Sequence, residues 1–176
     1  ETLALIAAEK AGIIKPGAPV VSAPQAPEAL AVIEQTCAER GVGLALVGRD
    51  WLAAGQTAAL CGQTLTLKQT VTGEVWSDLH ITLTGEHQLD NTAVAVAMLT
   101  ELRDRGAAIG AAAIRRGLAN TRWPGRFEVL MRRPALIVDC AHNGDSALRL
   151  RETLAQFYPP LPGRRMALVF GASADK

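Results

Sequence analysis

The 176 residues are 49% hydrophobic and 20% charged, enough apolar content for one good core or two small ones and too much for a disordered chain. A formal net charge of +1 gives no electrostatic ground for a nucleic-acid or anionic-membrane partner, so any phosphate contact must be local. Cys37, Cys61 and Cys140 are too few and too scattered for a disulfide framework or a zinc site, and no apolar run approaches the ~18–20 residues of a membrane span, so a reducing cytoplasm fits best.

Residues 1–11 are rich in Ala, Leu and Glu, with Gly12 and Pro16 as a stop, and predict a helix. Pro19-Val20-Val21 is a short strand signal. The stretch from Pro27 to Gly41 carries Leu30, Ile33 and Cys37 at helical spacing, and 44–48 closes a strand-helix-strand unit of the kind that pairs in parallel. Residues 65–68 and 75–84 then alternate apolar and polar at period two, which predicts antiparallel strands. Asp90 or Asn91 is expected to open a helix ending at Gly106, with a second short helix over about 110–118. Beyond the Trp123-Pro124-Gly125 break, 127–131 and 135–139 read as strands, 146–158 as a helix and 166–171 as a strand. A domain boundary is expected near 128–134, where Arg132-Arg133-Pro134 interrupts the strands. The chain begins inside a helix and stops just past a strand, so it is expected to be part of a longer polypeptide.

Chemistry is expected where strand 135–139 ends in Asp139 and runs through Cys140-Ala141-His142-Asn143 into a helix, because open α/β sheets bind ligands beyond the carboxyl ends of their strands. Asp139 could accept both hydroxyls of a ribose with His142 in reach of the same pocket; equally, Asp139 and Asn143 could cap the following helix. Arg126, directly after a tight turn, has the planar fork that matches phosphate oxygens, although a solvated surface arginine would read the same way. The polar run Gly85-Glu86-His87-Gln88-Leu89-Asp90-Asn91 could present a carboxamide to an adenine edge or only cap its helix. Lys10 sits near a helix C-terminus, where the macrodipole alone favours it. No complete Walker motif, no Ser-His-Asp order and no HExxH occurs.

Glu9-Lys10-Ala11-Gly12-Ile13, the run 85–91, Trp123-Pro124-Gly125-Arg126, Asp139-Cys140-Ala141-His142-Asn143 and Val169-Phe170-Gly171 followed by Asp175-Lys176 occur in one order along almost the whole chain. In that order and with those spacings the sequence resembles the folylpolyglutamate and dihydrofolate synthases of the Mur ligase family. The resemblance implies an α/β fold: residues 1–130 as the C-terminal part of a Mur-ligase central ATP-binding domain, and 131–176 as the first βαβ unit of a Rossmann-like C-terminal domain. The P-loop of the family is expected to lie outside these residues.

It also implies ATP-dependent amide formation, adding L-glutamate to folate or dihydropteroate through an acyl phosphate, with ATP and Mg²⁺ required. Carried over residue by residue, Asn91 would contact adenine, Arg126 the ATP phosphates and Asp139 the ribose. His142 would lie near the phosphates or the glutamate. Lys10 matches a lysine that is carbamylated, and so would act on the metal indirectly as a carboxylate-like group; hard Mg²⁺ prefers oxygen. Two departures stand out: Gly144 follows Asn143 where proline is usual, which would loosen that loop, and Cys140 stands where glycine is common, which would alter a pocket wall. Another Mur-type amino-acid ligase, or a non-catalytic nucleotide-binding module, remains an alternative on the same residues.

Overall fold

The structure is a computed structural model that describes residues 2–163 and 165–171. Helix α1 (Leu3–Ala11) starts at Thr2, whose side chain accepts from the Leu5 amide, and stops at Gly12. Strand β1 (Val20–Ser22), helix α2 (Pro27–Glu39) and strand β2 (Leu44–Leu46) follow, with Val20 opposite Leu44 in a parallel pair. Proline at the start of α2 costs nothing, because the amide it lacks would have had no intrahelical partner. The two helices pack together over a small cluster of Ala11, Ile14 and Cys37. Burial pushes the Cys37 thiol up, away from the reactive thiolate.

The main core lies under a three-stranded antiparallel sheet of order β3-β4-β5, formed by β3 (Trp51–Ala59), β4 (Gly62–Gln69) and β5 (Val75–Ile81). Strand β4 is central, and its alternation sends Leu65 and Leu67 inward, where they meet Trp51, Trp76, Leu79 and Ile81. Helix α3 (His87–Asp104) covers this face with Ala93, Val96 and Ala97, and helix α4 (Ala111–Asn120) adds Ile114. Two guanidinium groups approach the Trp76 ring, Arg103 at 5.9 Å and Arg115 at 5.8 Å from its centroid.

Two elements differ from the sequence reading here. Strand β3 was not anticipated: Trp-Leu-Ala-Ala-Gly-Gln-Thr-Ala-Ala has small residues and an internal glycine, and it is a strand because β4 pairs along nearly all of it. Helix α3 begins at His87, three to four residues before the expected cap and two after Gly85, which has φ +115°. Asn91 is therefore in the helix body and caps nothing.

The C-terminal portion also departs. Strands β6 (Glu128–Arg132) and β7 (Ala135–Val138) form an antiparallel hairpin turning at Arg133-Pro134, so the expected interruption is its turn. Helix α5 (Gly144–Phe157) follows β7, and residues 166–171, read as a strand, carry none. Asp175-Lys176 lie outside the described residues.

Candidate functional site

The loop after β1, the start of α3, the ends of β6 and β7 and one face of α5 enclose a cleft of about 320 Å³. Asn91, Arg126 and Asp139, expected from separate stretches of sequence, all line it. Three backbone contacts bring the last two together. The Cys140 amide donates to the Gly125 carbonyl (2.8 Å), the Phe127 amide to Asp139 Oδ2 (2.8 Å), and the Ala141 amide to Asp139 Oδ1 (2.8 Å). The loop after β7 is thus stitched to the turn that carries Arg126.

Asp139 accepts from backbone amides on both oxygens, but it is not the cap of α5. That role falls to Asn143, whose Oδ1 accepts from the Ser146 amide (2.9 Å) in a capping box. Gly144, expected to loosen this loop, is instead the first residue of the helix the box anchors. Phe127 has φ 45°, in the left-handed region unfavourable to a side chain this large. The Asp139 contact and packing against the Phe157 ring, 6.2 Å away, hold it there.

Cys140 does not form a wall of the cleft. Its Sγ rests against Gly125, where a Cβ would come within 2.5 Å of the sulfur, so glycine at 125 is what makes room for cysteine at 140. Asn91 donates from Nδ2 to Gln88 Oε1 (3.0 Å), which leaves its second amide hydrogen and its Oδ1 for a ligand.

His142 and Lys10 do not line the cleft. His142 is exposed beside the start of α5, with Nδ1 against the Cys140 carbonyl (2.9 Å). Lys10, on the last turn of α1, pairs with Glu9 at 2.8 Å; both side chains are well exposed. Among the described residues no group of three or more His, Cys, Asp or Glu side chains could hold a metal ion.

The cleft residues to which the sequence reading gave no role are His87 and Arg149. His87 is half-buried at the first turn of α3, and with Thr153 it separates the cleft from a second trough of about 500 Å³ between β3 and α5. Burial holds His87 below the ordinary imidazole range. Arg149 and Arg126 push the same way, while Asp139 and Asp145 oppose. His87 is quoted in the polar run 85–91, but nothing in its spacing marks it; Arg149, in the second turn of an amphipathic helix, has no sequence signature at all.

The lowered His87 pKa has a definite sign. Between the folded-state pKa and the ordinary value near 6.5, the unfolded chain binds the proton that the folded chain rejects, so stability rises with pH there. Stability is therefore expected to fall as pH drops below the ordinary imidazole value, and less so in His87→Gln. Urea melts of both proteins at neutral and mildly acidic pH would show this; equal losses in the two would exclude His87 as the source.

No family model matches the chain. It is 32% identical over 176 residues to a dihydrofolate synthase/folylpolyglutamate synthase of Bacillus subtilis, covering 99% of this chain and 40% of that protein. It is 37% identical over 180 residues to a probable bifunctional folylpolyglutamate synthase/dihydropteroate synthase of Halobacterium salinarum, covering 100% of this chain and 20% of that protein. Among solved structures, an FPGS complex with AMPPCP and folate superposes with a TM-score of 0.84 at 33% identity, over 92% of this chain and 39% of the other. Mycobacterium tuberculosis folylpolyglutamate synthase complexed with ADP superposes with a TM-score of 0.77 at 32% identity, over 88% of this chain and 35% of the other.

Fold and superposition together define a mixed α/β protein of the Mur-ligase type. The chain belongs to the folylpolyglutamate and dihydrofolate synthase family, and it spans between 20% and 40% of the length of the two curated relatives described. None of its described helices is long and apolar enough to cross a membrane.

Proposed function

We propose that this chain supplies the cleft that holds ATP in an ATP-dependent ligase adding L-glutamate to folate or dihydropteroate. The carrying observation is the convergence of Asn91, Arg126 and Asp139 on one cleft, in a fold shared with a synthase solved with AMPPCP and folate. In this reading 1–130 belong to the central ATP-binding domain and 131–176 begin the C-terminal domain.

The substrate carboxylate attacks the γ-phosphate of ATP, giving an acyl phosphate and ADP, and the glutamate amine then displaces phosphate to form the amide. Arg126 offsets charge on the transferring group with a bidentate fork. Asn91 pairs with the adenine edge through its remaining donor and acceptor. Asp139 has lone pairs left for a ribose hydroxyl after accepting its two amides, because an ionised carboxylate offers about four acceptor sites. His142 stands by the phosphates or glutamate, just outside the cleft.

Magnesium is implied by the family; among the described residues no group of three or more His, Cys, Asp or Glu side chains could hold it. Lys10 is proposed, from its Glu-Lys-Ala-Gly-Ile context alone, to act on the metal as a carbamate. The native polypeptide that carries this chain should form glutamylated product from ATP, glutamate and folate or dihydropteroate. Its Lys10→Ala variant should lose turnover, with partial rescue by a short carboxylate. Wild-type protein that binds ATP but ligates only a different amino acid or acceptor would favour another Mur-type ligase, and binding without turnover would favour a non-catalytic nucleotide module. Full turnover in Lys10→Ala would remove that residue from the mechanism.

A further inference from the structure

We propose that Arg149 is a second phosphate-contacting arginine of the cleft, reaching the anion from α5 opposite Arg126. This rests on the nucleotide reading above and adds a residue to which no motif in the chain assigns a role. Arg149 and Arg126 line the same cleft from different elements, one from a helix and one from the turn before β6. His87, at the start of α3, lines the same cleft and lies within the field of both.

The present partners of Arg149 are easily given up. They are Asp145 at 3.9 Å and Glu152 at 3.3 Å, both on its own helix, with the carboxylate side chains 80% and 50% exposed. Exposed pairs between neighbouring turns of a helix contribute little, whereas a planar guanidinium meeting phosphate oxygens makes parallel charge-assisted hydrogen bonds. A polyphosphate therefore outcompetes these carboxylates. A single carboxylate, such as that of an incoming amino acid, does so less well, because it brings one charge and two oxygens to the guanidinium pair where a polyphosphate brings several of each. The preferred ligand is a nucleoside polyphosphate.

The arrangement makes Glu152 a competitor. It holds Arg149 on the helix surface and also lines the neighbouring trough, so its charge and that of the nucleotide draw on the same guanidinium.

The test is calorimetric titration of the native polypeptide carrying this chain with ATP, ADP and adenosine, using wild type, Arg149→Ala, Arg149→Lys and Glu152→Gln, together with the KM for glutamate. Arg149→Ala is expected to weaken ATP about tenfold, as loss of a charged hydrogen-bonding partner does, and to leave adenosine unchanged. Arg149→Lys should recover part of the loss, and Glu152→Gln should tighten ATP. ATP binding unchanged in Arg149→Ala would overturn the assignment. So would an equal loss for ATP and adenosine, a rise confined to the glutamate KM, or a Glu152→Gln variant as weak as Arg149→Ala, the last meaning that the pair merely steadies α5. A wild-type protein that binds no ATP would instead remove the nucleotide reading itself, and this assignment with it.

Discussion

Replacing Asp139 with alanine is expected to destabilise the protein by about 3 kcal/mol, on the order of two lost hydrogen bonds to a charged acceptor, and to weaken ATP at least tenfold. Both amides that Asp139 accepts, those of Phe127 and Ala141, would lose their acceptor. Phe127 sits at a positive φ that the surrounding contacts must enforce, so its release would also move Arg126, the residue before it, and open the turn toward Cys140. Asp139→Asn keeps one acceptor oxygen and should fall between wild type and alanine in urea midpoint. A wild-type midpoint with weak ATP binding would make Asp139 purely a ligand, and a low midpoint with normal ATP affinity purely a brace. Wild-type values of both would discard the role argued for it.

A second large effect is expected at Gly85. Its φ of +115° is open to glycine and strained for any L side chain, and a Cβ there would lie 2.7 Å from His87 Cε1 and 2.9 Å from Thr153 Oγ1. Both neighbours are side-chain atoms on different helices, and the buried Thr153 hydroxyl is held by its bond to the Arg149 carbonyl, so the methyl group presses on α3 and α5 together. The strained backbone alone costs on the order of 1–3 kcal/mol, and the contacts add to it. Gly85→Ala should therefore lower the melting temperature and weaken nucleotide together, because it parts the two helices that flank the cleft. Gly73→Ala is a suitable control: its φ is also positive, at +75°, but it has open space around it and lies in the turn between β4 and β5. Equal melting temperatures for the two variants would show that crowding at Gly85 does not matter.

The sequence announced those elements whose signals are local. Ala-rich α1, the proline at the head of α2 and the period-two runs of β4 and β5 all form where their residues lead one to expect. What failed depended on partners distant in sequence. Trp51–Ala59 becomes a strand only because β4 lies beside it, and 166–171, read as a strand, carries none among the described residues. The cleft shows the same division. Asn91, Arg126 and Asp139 could be picked out because each stands at the edge of a motif, whereas His87 and Arg149 acquire their significance from elements that meet only in the folded chain. The cysteine at 140 is intelligible only beside the glycine at 125, fifteen positions away and in van der Waals contact.

The three tryptophans occupy unlike surroundings, and this gives the protein an optical reporter of its own. Trp51 and Trp76 are almost wholly enclosed, with 1% and 3% of their surface exposed, so their emission should be blue and shielded from iodide. Trp123 is 61% exposed, and its carbonyl accepts from the Arg126 amide across the turn that borders the cleft. Its emission should be red and open to the quencher. A ligand that grips Arg126 should dim or shift only the red, iodide-sensitive fraction, while unfolding should move the blue one, so a single fluorescence titration separates occupancy from loss of structure.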